Sequence, residues 1–485
     1  MQKATISTDT DSGSGNLPLY LQLAGDVRQL IERGVFKIGD RLPSVRDLRR
    51  KYRVSAATAV QAYVWLERDG LVKSRERSGF YAAQPIAYPE PKTRRALVSP
   101  VGVGIGVQVL DLLRRINDRS LVPLGVGSLG PELLPVMRVN RAIRRAAARS
   151  PLHSAFYGTI NGAAELRRQI ARLQFAGGFS GDPDNIVVTS GGLEALNLAL
   201  RAVAKPGEVI AVESPTYFGV LQAAESLGVK VVEVPAHPRS GIDLDLLERA
   251  IKQNKIKAVI VMPNCHNPQG TVMSDDAKAE LVALTHGHNV AVIEDDIYGE
   301  LAYTQTRPRT AKSYDRKGLV LLCGSFSKVL APGLRVGWIE PGQFRTEVET
   351  LKSITSLVTA TLPQLAIAEL LESGFYERYV RRLRIRLADR VSRYVSAITK
   401  FFSPGTRMTQ PSGGNLLWIQ LPKNSDGTLL YHRAMESGIS ILPGEIFSPS
   451  RKHQGFIRVS CGAPWSPKVE DAIETLAELC RQTLD

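Results

Sequence analysis

The chain has 485 residues, too many for one compact core, and its hydrophobic fraction of 44% and charged fraction of 22% are typical of soluble globular proteins. No apolar run is as long as a membrane span, and the four cysteines (Cys265, Cys323, Cys461 and Cys480) lie far apart, which argues against structural disulfides and a zinc site and fits a reducing cytoplasm. The net charge of +15 suggests a polyanionic partner.

The front of the chain is predicted to be a short leader followed by a small basic domain. Residues 1–16 are rich in Ser, Thr, Gly and Asp, lack the apolar core of a signal peptide, and are expected to be disordered. Residues 17–83 hold 13 Lys and Arg against 7 Asp and Glu. A first helix is predicted from apolar residues that recur mostly at three- and four-residue steps: Leu19, Leu23, Val27, Leu30 and Ile31.

Two capping signals mark a second and a third helix. The run Ser-Val-Arg-Asp from Ser44 is a capping box that predicts a helix over residues 45–52. Ser55 is predicted to cap the third helix, which Gly70 ends and whose expected apolar face is Val60, Tyr63, Val64 and Leu66. The run LVKSRERSGFYAA then predicts two short strands around a basic turn. This layout favours a winged helix-turn-helix, with a small helical interaction domain as the alternative.

The same segment closely resembles the GntR-type DNA-binding head in the runs PLYLQ, GDRLPSVR and VSAAT. The resemblance implies that double-stranded operator DNA meets Arg46, the third helix and the wing tip. The candidate DNA-binding residues are Arg41, Ser44, Arg46, Arg49, Ser55, Ala57, Thr58, Gln61, Arg75, Ser78 and Gly79. GntR heads usually have an arginine where this chain has Ala56, so this head should read a different base step or depend on other arginines.

After a Pro-rich basic linker predicted over residues 84–106, strands alternate with helices from residue 107 to 485. The predicted strands are Ile186–Thr189, Val209–Glu213, Val229–Val234, Ala258–Met262, Val290–Asp295 and Leu319–Gly324. This pattern predicts an α/β fold with a doubly wound, mainly parallel sheet, whose ligands lie at the carboxyl ends of the strands. A smaller α+β part is expected over about 380–485.

The stretch CGSFSKVLAPGLRVGW, from Cys323 to Trp338, carries the central chemical signal. Lys328 follows an apolar strand, and removal from water should lower its pKa, so that a neutral amine can form a Schiff base. Ser325, Ser327 and Arg335 supply hydroxyls and a bidentate cation, which suit a phosphate. An aldehyde that carries a phosphate is pyridoxal 5′-phosphate. A solvated strand end is the alternative for this lysine.

Further polar residues follow other predicted strands. Asp295 could pair with a protonated pyridine nitrogen, and Tyr298 and Asn267 could donate to the ring oxygen of the same cofactor. The run TSGGL, with Gly191 and Gly192, starts a helix whose backbone N–H groups could hold a phosphate. Tyr217 could stack on a ring or belong to the core, and Arg458, in a buried strand, needs a carboxylate from an effector or from a structural salt bridge.

In this chain order the motifs resemble the fold-type I aminotransferases over roughly residues 120–485. The resemblance implies that Lys328 holds the cofactor, that Asp295 faces its pyridine nitrogen, and that Tyr298 and Asn267 face its phenolic oxygen. It also implies phosphate binding near Gly191, Gly192 and Leu193, although relatives usually carry a polar residue where Leu193 stands. Tyr157 matches a tyrosine that reaches the phosphate of a partner subunit, which implies a homodimer with shared sites.

A GntR-like head joined to an aminotransferase-like body resembles the MocR-type transcriptional regulators, which use pyridoxal 5′-phosphate in a sensor and form head-to-tail dimers. The resemblance implies a cytoplasmic regulator in which an amino acid or amine effector forms an external aldimine and displaces Lys328, while Arg458 and Asn267 bind the effector. A working aminotransferase with a secondary head, and a constitutive DNA binder with a cofactor-stabilised body, are the alternatives.

Overall fold

A computed structural model describes residues 19–68, 71–75, 78–83, 89–93, 95–97, 99–116, 118, 120–149, 151–304 and 306–482. Several sequence predictions lie outside these residues: the leader 1–16, Pro18 of the PLYLQ run, Gly70, part of the basic turn at 76–77, and 84–88 of the linker. The chain divides into two compact units, Met1–Ala87 and Tyr88–Asp485.

The first unit, here called the head, has three helices and a hairpin. These are α1 (Leu19–Glu32), α2 (Val45–Tyr52), α3 (Ala56–Arg68), β1 (Val72–Arg75) and β2 (Gly79–Ala82). At the start of α2 the Ser44 hydroxyl accepts the Asp47 N–H at 3.2 Å, and the Asp47 carboxylate accepts the Ser44 N–H, so the capping box forms as predicted. Arg53, in the left-handed conformation with φ of 52°, ends α2.

The core of the head differs from the sequence prediction in two helices. The buried face of α3 is Ala59, Ala62, Tyr63 and Leu66. Val60 and Val64 are exposed, so their assignment to the apolar face was wrong. Two alanines let α3 pack closely on α1, and this packing turns the two valines to the opposite face. Leu19, also predicted to be apolar core, is 61% exposed at the first turn of α1.

The second unit, the body, contains the remaining helices and strands. Its helices are α4 (Gly106–Ile116), α5 (Val136–Arg149), α6 (Ala164–Ala176), α7 (Gly192–Val203), α8 (Phe218–Leu227), α9 (Leu244–Gln253), α10 (Asp275–Gly287), α11 (Arg345–Thr355), α12 (Thr361–Glu372), α13 (Phe375–Phe401), α14 (Gly427–Glu436) and α15 (Pro467–Gln482). Its strands are β3 (Val122–Pro123), β4 (Val187–Thr189), β5 (Val209–Ser214), β6 (Lys230–His237), β7 (Gly241–Ile242), β8 (Ile256–Val261), β9 (Ala291–Asp295), β10 (Val320–Ser325), β11 (Gly337–Glu340), β12 (Arg407–Met408), β13 (Leu416–Gln420), β14 (Ile439–Ser440), β15 (Leu442–Pro443) and β16 (Phe456–Ser460).

The main sheet has eight strands in the order β4-β11-β10-β9-β8-β5-β6-β7. Strands β10, β9, β8, β5 and β6 are parallel, whereas β11 and β7 run against their neighbours. Successive strand residues such as Val292 and Ile293 belong to two different hydrophobic clusters, because helices cover both faces. The predicted doubly wound, mainly parallel sheet is therefore confirmed. Strand β11 was not predicted.

A second, antiparallel sheet has the order β12-β13-β16-β15 and lies in the C-terminal part. The described part of the predicted linker belongs to the body, where Val101 exchanges backbone hydrogen bonds with Val231 at 3.0 and 2.9 Å. The Glu225 carboxylate accepts the N–H groups of Ile105 and Gly106 at 2.8 Å. Within the described ranges, no helix combines the length and hydropathy needed to cross a bilayer.

Candidate functional site

Three side chains from distant parts of the body converge on the backbone of Gly127. The Lys328 amine donates to the Gly127 carbonyl oxygen at 2.9 Å, and the Tyr298 hydroxyl lies 3.4 Å from the same oxygen. A Cβ placed on Gly127 would lie 3.5 Å from the Tyr298 Oη, 3.7 Å from the Arg458 Nη2 and 3.8 Å from the Lys328 Nζ. A side chain at position 127 would therefore occupy the space that these three polar groups share.

The parallel pairing of β9 and β10 places Asp295 and Lys328 at one edge of the sheet. Asp295 is the last residue of β9 and lies opposite Cys323 of β10, and the chain reaches Lys328 three residues after β10 ends. Burial raises the pKa of Asp295 to about 7, although the Ile297 N–H at 3.4 Å opposes the shift. Burial lowers the pKa of the Lys328 amine, and the neighbouring Tyr217 and Asp295 oppose this only in part.

Arg458 is a buried cation with no carboxylate partner among the described residues. It is 3% exposed on β16, where its Nη2 donates to the Gly125 carbonyl oxygen at 2.6 Å and its Nη1 to the Asn267 Oδ1 at 3.4 Å. Its Nε has no hydrogen-bond partner, and burial lowers its pKa to about 10. The structural salt bridge considered as an alternative for this arginine is therefore not formed by the described residues. A buried guanidinium in this state attracts an anion from outside the chain.

Two tyrosines lie near Lys328. The Lys328 Nζ lies 5.3 Å from the centroid of the Tyr298 ring, which is 1% exposed. Tyr217 precedes α8 and contacts Phe218 with ring centroids 4.6 Å apart. Burial raises the pKa of both phenols, so both remain hydrogen-bond donors at neutral pH.

The predicted phosphate residues also form one group. Gly191, with φ of 90°, precedes α7, and a Cβ there would collide with the Arg335 guanidinium. The Arg335 Nη1 donates to the Ser327 Oγ at 3.3 Å, and the Ser325 Oγ donates to the Ser327 Oγ at 3.0 Å. A Cβ on Gly192 would lie 3.3 Å from the Ser325 Cβ. The first N–H groups of α7, a guanidinium and two hydroxyls thus surround one small space, the chemistry that a phosphate requires.

Two predicted cofactor residues add no side-chain group to this cluster within one chain. Leu193, in the first turn of α7, is 44% exposed and offers no side-chain donor. Tyr157 is 83% exposed and makes no described hydrogen bond or ring contact with the other site residues. It belongs to a segment that also exposes Leu152 and Phe156, at 68% and 70%.

Sequence reasoning missed Gly125 and Gly127, which supply the backbone oxygens that Arg458 and Lys328 bind. They follow β3, which pairs with β14 of the C-terminal part. The Gly-x-Gly spacing after the short apolar run Leu121–Leu124 is the only sequence signal, and it is weak. Their role depends on contacts with residues that lie more than 170 positions away in the sequence.

The exposed surface of the head carries the predicted DNA-binding residues of α2 and α3. Arg46 and Arg49 are exposed on α2, and Ala57 and Gln61 are exposed on α3, beside Val60 and Val64. The Ser44 and Ser55 hydroxyls accept N–H groups at the two helix starts, and Thr58 is the residue that Ser55 caps, at 3.0 Å. These two serines thus position the helices, and an exposed basic and apolar surface remains for a duplex.

The other predicted DNA-binding residues lie on the hairpin of the head or, in the case of Arg41, beside it. Arg75 lies over the Tyr81 ring at 4.2 Å from the centroid, and the Ser78 hydroxyl lies 2.6 Å from the Tyr81 hydroxyl. Gly79 has φ of 100°, and a Cβ there would lie 3.7 Å from the Arg41 guanidinium. Arg41 therefore lies beside Gly79, whose positive φ favours glycine.

Comparison with known families matches both units. Residues 119–476 match the family "Aminotransferase class I and II", and residues 19–82 match "Bacterial regulatory proteins, gntR family". The chain is 38% identical to the HTH-type transcriptional regulator YjiR of Escherichia coli over 96% of this chain and 99% of that protein.

Solved aminotransferases share the fold of the body. The kynurenine aminotransferase of Pyrococcus horikoshii, in complex with PMP, is 29% identical with a TM-score of 0.73 over 78% of this chain and 95% of its own. LysN, the α-aminoadipate aminotransferase of Thermus thermophilus, complexed with N-(5′-phosphopyridoxyl)-L-leucine, is 26% identical with a TM-score of 0.71 over 77% of this chain and 97% of its own.

Proposed function

The chain belongs to the aminotransferase class I and II family and joins that fold to a gntR-family head, as MocR-type regulators do, and we propose that it senses an amino-bearing effector at Lys328. It is a DNA-binding regulator with an aminotransferase-like domain, and its cofactor is pyridoxal 5′-phosphate.

The residues of the site fit pyridoxal 5′-phosphate. The space between Gly191, Arg335 and the two serines suits its phosphate, since it offers N–H groups, a cation and hydroxyls. Asp295 is a buried carboxyl group whose raised pKa indicates a missing cationic partner, which a protonated pyridine nitrogen supplies. Lys328 is an amine that burial shifts toward its neutral, nucleophilic form.

When bound, the cofactor supplies an aldehyde carbon that can exchange between amines and a pyridine ring that withdraws electrons. The Gly127 carbonyl oxygen orients the Lys328 amine through its hydrogen bond. Asp295 would hold a proton on the ring nitrogen, and the Tyr298 and Asn267 side chains would position the ring oxygen. Tyr217 would exclude water from the ring face.

The main support for an effector site is the burial of Arg458 without a carboxylate partner among the described residues. Such a guanidinium on β16 is a binding site for an anion. It lies beside the group around Lys328, since its Nη2 and the Lys328 Nζ are both within 3.8 Å of the Cβ position of Gly127. An effector with an amine and a carboxylate one carbon apart would engage both. The proposed effector is therefore an amino acid.

We also propose that the regulator is a homodimer with shared sites, and that it acts in the cytoplasm, where its operator DNA lies. The exposed apolar side chains of Leu152, Phe156 and Tyr157 support a protein interface. Tyr157 would then contribute to the phosphate site of the partner subunit. Sedimentation of a Phe156→Asp variant as a monomer is the expected result; an unchanged dimer would place the interface elsewhere.

The effector can act on the head only if its affinity differs between two arrangements of the regulator. A spectral half-reaction screen separates a regulator from a working aminotransferase. The cofactor-loaded protein is mixed with each amino acid, and the cofactor is then recovered and identified. We expect one amino acid to change the visible spectrum while the recovered cofactor remains pyridoxal 5′-phosphate. Repeated conversion to pyridoxamine 5′-phosphate would instead establish an enzyme.

A further inference from the structure

The first described segment of the body is attached to both sheets. This segment, here called the strap, comprises residues 89–93 and 95–97. Its contacts with the main-sheet part are the Glu90 carboxylate with Arg239 and the Arg95 Nε with the Asp243 Oδ2 at 2.7 Å. Its contacts with the antiparallel sheet are the Arg407 Nη1 with the Glu90 carbonyl oxygen at 3.1 Å and the Lys92 N–H with the Gln420 Oε1 at 3.0 Å.

A cavity of about 340 Å³ lies beneath the strap. Lys92 and Leu97 form its strap side, Ser214 and Gln269 its main-sheet side, and Lys452 and Phe456 its C-terminal side. Ser214 ends β5, so the cavity lies at the carboxyl edge of the parallel strands, where open α/β sheets bind ligands. Its size falls within the range of small-molecule sites.

The cavity is separate from the site around Lys328. None of the residues that line it belongs to the candidate cofactor or effector residues. The two are nonetheless neighbours, because Phe456 and Arg458 are alternate residues of β16 and point to the same face. Trp418 stacks on Phe456 with centroids 5.1 Å apart, and Phe447 lies 5.2 Å from Trp418 and 5.5 Å from the Arg458 guanidinium.

The lining sets the chemistry of a ligand. Leu97, Pro215 and Phe456 offer apolar surface, which suits a ring. Lys452 lies 3.4 Å from the buried Glu233, which also accepts the Ser214 hydroxyl at 2.8 Å, so this inner cation is already neutralised. Lys92 is exposed and pairs with no carboxylate in the described part of the chain. One uncompensated cation therefore lies beside an apolar pocket.

We propose that this cavity binds a small aromatic acid without covalent attachment, with its ring against Phe456 and Leu97 and its carboxylate at Lys92. The strap forms one wall of the cavity, so the ligand would hold the strap against both sheets. The site would give the regulator a second input that does not use the Lys328 amine.

The experiment compares a matched pair of probes, indole-3-acetate and its neutral isostere indole-3-acetamide, by calorimetry on the full cofactor-loaded chain. We expect one indole-3-acetate per chain and no change in the visible spectrum of the cofactor. Lys92→Glu should reduce the affinity for indole-3-acetate at least tenfold and the affinity for indole-3-acetamide less than threefold. Lys255→Glu, an exposed charge reversal just before β8 at the opposite edge of the sheet, should leave the affinity for both probes unchanged.

Four results would overturn the proposal. These are no heat of binding, an equal loss for both probes in Lys92→Glu, an equal loss in Lys255→Glu, and a spectral change that follows probe occupancy. Hydrogen exchange provides an independent measurement: indole-3-acetate should slow exchange of the strap amides at least threefold, and unchanged strap exchange at saturation would contradict the proposed wall.

Discussion

The Lys328 amine donates to the Gly127 carbonyl oxygen at 2.9 Å, although 201 residues separate the two. The same glycine leaves open the space between this amine, the Tyr298 hydroxyl and the Arg458 guanidinium. A residue without a side chain thus lies between the Lys328 amine and the Arg458 guanidinium, which we propose bind the amine and the carboxylate of the effector. Gly127 is therefore the residue at which effector size is most directly tested.

Gly127→Ala should reduce the apparent affinity for the effector about tenfold, while the protein remains folded. The added Cβ would make ordinary van der Waals contacts of 3.5–3.8 Å, so the fold tolerates it, but it fills space that the effector needs. Effector titrations followed by the visible spectrum give the change. Gly287→Ala, where a Cβ meets no atom within 4 Å, is the matched control and should behave as the parent chain. Unchanged affinity in Gly127→Ala would remove Gly127 from the site.

Arg458→Met should abolish the response to amino acids but leave the response to simple amines unchanged. Its effect on the free energy of unfolding should be about 1–3 kcal/mol, the cost of the hydrogen bonds lost at the Gly125 carbonyl oxygen and the Asn267 Oδ1, because no buried ion pair is broken. If Arg458 instead formed a structural ion pair, the loss would be about 3–5 kcal/mol. Urea unfolding of the cofactor-free variant distinguishes the two, and a large loss of stability would contradict an effector role.

Asp295 should make the stability of the cofactor-free protein depend on pH. Burial raises its pKa to about 7, above the value near 3.9 of an unfolded aspartate. Between these values the folded chain holds a proton that the unfolded chain has released, so the free energy of unfolding falls as the pH rises from about 4 to about 7.

Asp295→Asn removes this proton, so its stability relative to the parent chain should rise by about 1–3 kcal/mol between pH 4 and pH 8. Glu294, whose pKa burial also raises to about 7, is present in both proteins, so the comparison isolates Asp295. Urea unfolding at the two pH values measures the difference. A constant difference at both values would show that Asp295 titrates normally.

Arg46→Ala should weaken operator binding by about 1–3 kcal/mol while it leaves binding to unrelated DNA nearly unchanged. Arg46 is exposed on α2, and we propose that it contacts base edges. Arg50→Ala, on the same helix, is the comparison. It should weaken binding to both kinds of DNA alike and reduce the slope of log affinity against log salt concentration by about one. If Arg46→Ala also affected both kinds equally, Arg46 would contact phosphate and not bases.

Local signals in the sequence predicted the parts of the fold that depend on neighbouring residues. The capping box at Ser44 fixes the start of α2, because both of its hydrogen bonds are made within four residues. The pairing of β9 with β10 follows from two apolar runs and brings Asp295 and Lys328 to one edge.

Features that depend on tertiary packing were not predictable. On α3, valines are more apolar than alanines, yet the close approach of α1 selects Ala59 and Ala62 for the core. Strand β11 is short and runs against β10, and its Gly337 weakens the strand signal. The backbone oxygen of Gly127 becomes part of the site only through contacts with Tyr298 and Lys328, which no local pattern records.

The central claim is that the Lys328 amine couples effector binding to DNA binding. Its most direct test is a titration of labelled operator DNA with cofactor-loaded parent chain and with Lys328→Ala, each with and without the amino acid found in the spectral screen. We predict that the amino acid changes the operator affinity of the parent chain at least tenfold and that of Lys328→Ala less than twofold. An equal response in the two proteins would contradict the account.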